Sequence, residues 1–168
     1  PIDPMVFNDL FCWSRPEVHT LSMGAARPSD FDIHLEALEQ LGDASAVVLP
    51  VENRLRDEIL KATGISWQPR WDDGIPEWED LPGGMNIKEI TRLWMFAKTF
   101  GMIDFGKMRY NLLGNAGHWF PGYKVQEFDD AEIRDRCADS PYADRIPDIL
   151  REAHRLLNDG EVKRQSEG

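Results

Sequence analysis

The chain has 168 residues, 42 % of them apolar with eight Phe and six Trp, which suffices for a packed core and excludes a wholly disordered polypeptide. Nineteen Lys/Arg against thirty Asp/Glu leave a net charge of −11, and that balance opposes a nucleic-acid surface, whose affinity draws on clustered positive charge. No apolar run approaches the roughly 20 residues that span a bilayer, and two cysteines, Cys12 and Cys137, cannot build a disulfide framework. A cytoplasmic protein is expected, with neither nucleic acid nor a membrane span. Its first residue, Pro1, is not Met, so the chain reads as a processed product or a piece of something longer.

In chain order, Asp3-Pro4 is a helix-start signal, and Phe7, Leu10 and Phe11 follow at helical spacing until Pro16. Val18-His19-Thr20-Leu21-Ser22 alternates with period two and predicts one short strand, stopped by Gly24. Pro28-Ser29-Asp30 then predicts a helix with Ser29 as N-cap, an inner stripe of Phe31, His34, Leu35, Leu38 and Leu41, and Gly42 as its end. A third helix is expected over residues 50–63, with Pro50 in the first turn, Gly64 as stop, and Leu55, Ile59 and Ala62 facing inward. Residues 65–86 interleave Trp67, Trp71 and Trp78 with prolines and glycines. This predicts an irregular strap pinned by its indoles, and the boundary between two parts of the molecule.

Beyond the strap, Ile87, Ile90, Leu93, Trp94, Ala97 and Phe100 fit one helix face, with Asn86 as N-cap and a break at Gly101. A partner helix over 104–113 completes a hairpin. The loop 114–122 follows, then a helix from Asp129 or Asp130 towards Ala138. A last helix over 145–158 carries Ile146, Ile149, Leu150, Ala153 and Leu157 inside. Residues 161–168 read as a frayed tail.

The turn Met23–Ser29, between a strand and a helix N-terminus, is the strongest chemical feature. Unpaired N–H groups, small residues at Gly24, Ala25 and Ala26, and the cation of Arg27 suit a phosphate. The same residues also suit an ordinary connection with a solvated arginine, since no Walker or dinucleotide spacing is present. His118, in the 114–122 loop beside Asn115, fits either ligand contact or simple backbone hydrogen bonding. His19, His34 and His154 lack the spacing of a shared zinc site. The acidic clusters at 72–73, 77–80 and 127–130 fit solvated charge better than a cation site.

Residues 16–35, PEVHTLSMGAARPSDFDIHL, resemble the end of an aldo/keto reductase. The stretch from Lys107 to Gly122, KMRYNLLGNAGHWFPG, with Asn86–Ile90 and Ile146–His154, resembles the C-terminal extension of larger members of that family. The resemblance implies a mainly α chain. One short strand and its flanking helices come from the end of a (β/α)8 barrel, and an α-helical extension follows. The corresponding parts are 1–64 as barrel end with its following helix, 65–86 as strap, 87–160 as extension and 161–168 as tail.

The resemblance further implies that Gly24, Ala25, Ala26 and Arg27 approach the phosphates of NADP or NAD. Asp30 falls where the family often has Arg or Gln beside the adenosine phosphate, and His34 where it often has Asn on the adenine. An acidic Asp30 would repel a 2′-phosphate, which leaves the choice between NADP and NAD open. The family's catalytic groups come from the first four strands, so no catalytic residue is assigned here. NAD(P)H-dependent carbonyl reduction would belong to the complete protein, and the chain alone is expected to be inactive. Some relatives carry ferredoxin-like cysteines in the extension, near segments resembling 85–87 and 136–138. Only Cys137 stands there, so no iron–sulfur cluster or other metal is expected. The implied partner is the N-terminal barrel portion, in cis or as a separate chain, with self-association as another way to cover the strand edge. The alternative is a non-catalytic interaction or scaffold module, which the aromatic density of residues 65–122 suits.

Overall fold

The computed structural model describes residues 2–67, 70–111 and 127–159. Seven α-helices lie among them: α1 (Pro4–Trp13), α2 (Asp32–Glu39), α3 (Ala44–Thr63), α4 (Ile87–Phe100), α5 (Ile103–Tyr110), α6 (Asp130–Arg136) and α7 (Ile146–Leu157). The molecule is mainly α, and no strand occurs among the described residues. No helix there is long and apolar enough to cross a membrane. The chain divides into two compact units, Pro1–Asp57 and Glu58–Gly168. The division falls within α3, and the strap of residues 65–86 belongs to the second unit.

In the first unit, Asp3 caps α1 by accepting from the Met5 amide, and Pro4 supplies a preset first-turn φ. Val6 and Leu10 of α1 pack with Ala37 of α2 and with Ala44 and Val48 of α3. Phe7 is half-buried, but Phe11 faces outward beneath the Arg15 guanidinium, 4.5 Å from its ring centroid. The strand expected at Val18–Ser22 does not form: residues 18–25 make no ladder, and His19, Thr20 and Ser22 are exposed. Period-two alternation is a local signal, whereas a strand also needs a neighbour to take its backbone groups. The described residues provide none.

Ser29 is not an N-cap either. A 3-10 turn over Pro28–Phe31 precedes α2, and Asp30 caps it from inside. The expected inner stripe of α2 is mostly outward. His34 and Ala37 are buried, while Phe31, Leu35, Leu38 and Leu41 are 42–57 % exposed. Gly42 sits in a further 3-10 turn, Leu41–Asp43, that leads directly into α3. That helix begins six residues ahead of Pro50 and runs through it. Its Ile59 is buried and Ala62 half-buried, but Leu55 is exposed. Gly64, at φ +66°, stops it as expected.

The second unit is built around α4. Asn86 accepts from the Glu89 amide at 3.0 Å, Gly101 closes the helix in the left-handed region, and Ile87, Ile90, Leu93, Trp94 and Ala97 are buried. Opposite lies α7, whose Ile146, Ile149, Leu150, Ala153 and Leu157 are all buried, and α5 completes the hairpin. At Gly106 a Cβ would stand 2.8 Å from a Leu157 methyl, so the missing side chain lets α5 approach α7. Asn111 then ties their ends together, donating to the Lys107 and Leu157 carbonyls and accepting from the Asp159 amide. Asp129 caps α6 by accepting from the Glu132 amide.

The strap docks on this bundle through Ile65, Trp71, Ile75, Leu81 and Met85, all buried. Trp67 stacks on Phe96 of α4, with 6.1 Å between centroids and 23° between planes. At Gly74 a Cβ would lie 2.2 Å from the Asp139 carbonyl, so only glycine fits this close backbone approach. The Ser66 amide donates to the Tyr142 hydroxyl, and Arg145 donates to the Thr63 and Gly64 carbonyls at the end of α3. Helix α5 ends at Tyr110, with Asn111 as its C-cap, short of the expected Leu113. The 114–122 loop with His118 and the 161–168 tail lie outside the described residues.

Candidate functional site

The turn ahead of α2 presents Gly24, Ala25, Ala26 and Arg27 at the surface, all exposed, with open space where a Gly24 side chain would be. Its backbone does offer convergent donors. The Ala26 and Arg27 amides both point at one oxygen, Oδ2 of Asp30, at 2.9 and 3.0 Å. The other Asp30 oxygen lies 3.6 Å from Arg27 Nε. The turn is thus shaped to hold an anion, and the anion it holds is its own carboxylate. A phosphate reaching these donors would have to displace Asp30.

His34 is turned away from this surface. Its Nδ1 lies 2.5 Å from Oδ2 of Asp9 on α1, and both residues are more than nine-tenths buried. The structure therefore brings Ala26, Arg27 and Asp30 together, leaves Gly24 and Ala25 beside them, and places His34 in a separate pairing inside the first unit. Asp9 was not among the candidates, although the sequence carries a signal for it. It shares the buried face of α1 with Val6 and Leu10, and a lone carboxylate on such a face needs a partner. Glu52 repeats the pattern on α3, where it pairs with Arg15 and Arg56.

The second unit holds one further polar pair. The Tyr110 hydroxyl lies 3.0 Å from His154 Nδ1, and burial pushes the phenol well above its ordinary value while lowering that of the imidazole. Tyr110 has no exposed surface, so the pair joins α5 to α7 rather than meeting a ligand. Cys137 is buried too, its thiol pushed up to about 11 by desolvation, which keeps it protonated and unreactive near neutrality. Among the described residues no three His, Cys, Asp or Glu side chains are grouped to hold a metal ion. A shallow depression beside Pro82, Met85, Phe128 and Glu132 lies between the strap and α6.

For an NAD or NADP phosphate the turn has the donors, the small residues and an arginine, but Asp30 already holds those donors, and the group at the adenine position does not fit. His34 is held by Asp9 in the core. No protein-family model matches this chain, and no curated protein or solved structure does either.

Proposed function

We propose that the chain is the closing segment of an aldo/keto reductase-like oxidoreductase, in which NAD(P)H-dependent carbonyl reduction belongs to the complete protein. The likeness of residues 16–35 and 107–122 to that family carries the reading. Two physical features support it. The strand-forming residues Val18–Ser22 lack a ladder, and α2 turns Phe31, Leu35 and Leu38 outward. A barrel lying beyond them would satisfy both at once.

In this reading a coenzyme supplies the hydride, and this chain's residues only bind. The Ala26 and Arg27 amides donate to a phosphate oxygen in place of Asp30, and the exposed Arg27 guanidinium offsets its charge. Asp30 disfavours a further 2′-phosphate nearby. His34 acts at one remove, holding α2 on α1 through Asp9. The α-helical second unit caps the barrel.

The test is a coenzyme titration followed by tryptophan fluorescence, on this chain and on a form that also carries the seven preceding barrel strands. Saturable binding by the longer form alone, weakened by Arg27→Glu, is expected. Binding by neither form overturns the reading and leaves a non-catalytic interaction module.

A further inference from the structure

Helix α2 is chemically unlike the other helices. Leu35 and Leu38 of α2, with Phe31 and Leu41 in the 3-10 turns on either side of it, follow one another at steps of three and four residues, and all four stand 42–57 % exposed. Beside this ridge lie Asp32, Glu36, Glu39 and Asp43, every one of them exposed. Helices α3, α4, α6 and α7 each pair a carboxylate with Lys or Arg, as in Glu58–Lys61, Glu89–Arg92, Asp130–Arg134 and Glu152–Lys98. Asp32, Glu36 and Glu39 of α2 and Asp43 in the turn after it make no ion pair among the described residues. The only basic side chain in the helix, His34, points inward to Asp9. An apolar ridge edged by four unneutralised carboxylates is self-repelling towards a second copy and towards anionic lipid, and complementary to a cationic amphipathic surface.

We propose that this face of α2 is a docking ridge for a helix that carries an apolar stripe edged by Lys or Arg. Resting on the reading above, that helix belongs to the barrel portion. The apolar contact supplies affinity and the charged edge selects the partner and its orientation.

The probe is a labelled Leu/Lys amphipathic peptide of about 18 residues, long enough to hold a helix on the surface. It is titrated by fluorescence anisotropy against the whole chain, with a Leu/Glu peptide of the same pattern as comparison. Expected are binding of the Lys peptide only, weakening as salt rises, and a loss of about tenfold or more in each of Leu35→Glu and Glu36→Lys/Glu39→Lys. All three positions are exposed, so the variants should keep the fold, and circular dichroism checks that they do. Glu79→Lys, on the strap, controls for net charge and should bind as the parent does. Equal loss in Glu79→Lys, unchanged binding by the α2 variants, or self-association abolished by Leu35→Glu would each overturn the proposal. Peptide binding without coenzyme binding in any form would sink the barrel reading alone. Coenzyme binding with indifferent α2 variants would sink the ridge alone.

Discussion

Asp9 and His34 both give up nearly all their hydration, and each is tolerated in the first unit because the other is 2.5 Å away. Removing one leaves the other buried without its partner. Asp9→Asn or His34→Ala should therefore cost about 3 kcal/mol, read as a lower urea midpoint and lost amide protection in α1 and α2. The same variants should leave protection in α4 and α7 unchanged.

His154 gives a second residue-scale expectation, with a sign. Burial lowers its pKa from 6.5, so below 6.5 the unfolded chain takes up a proton that the folded chain does not. The stability it contributes is complete above 6.5 and is lost as pH falls towards the lowered value. Urea midpoints of the second unit should fall between about pH 7.5 and about pH 5.5, and His154→Gln should flatten that part of the profile.

At the scale of elements, α3 carries its own flaw. Pro50 lies in its second turn, where it can donate no hydrogen bond to the preceding turn and its ring crowds a carbonyl. Pro50→Ala should stabilise the protein by about 1–3 kcal/mol, seen as a higher thermal midpoint with helical ellipticity kept or raised.

That proline also explains why the start of α3 was hard to read from sequence. Proline is commonest in a first turn, so Pro50 looks like a beginning, and the helix-compatible run Ala44–Leu49 before it goes unused. By contrast α4 and α7 were legible almost to the residue, because long apolar periodicity runs through both and coincides in α4 with Asn86 and Gly101 at the termini. The outward turn of α2 was not legible. Periodicity reveals that a stripe exists, and only the packing of His34 and Ala37 on α1 decides which edge of it is covered. At the candidate site the turn and its small residues could be read. The capture of its donors by Asp30 and the pairing of His34 with Asp9 could not, since the second joins residues 25 positions apart.

The whole molecule joins two units of unequal build. The first encloses only Val6, Leu10, Ala37, Ala44 and Val48 as its described core, whereas the second surrounds α4 with apolar side chains from five other segments. Stability follows buried apolar area, so the first unit should open at lower denaturant. Hydrogen exchange resolved by residue should show α1 and α2 losing protection first. A single coincident transition for α1 and α7 would contradict this.

The docking of the strap has an optical consequence. Trp67 and Trp71 lie with ring centroids 5.9 Å apart at an interplanar angle of 30°. Chromophores so close and so skewed share their excited states and split into circular-dichroism bands of opposite sign. The bundle therefore carries a built-in spectroscopic gauge of its own strap. Phe96→Ala, which withdraws the ring beneath Trp67, should shrink that couplet while the far-ultraviolet helical signal persists.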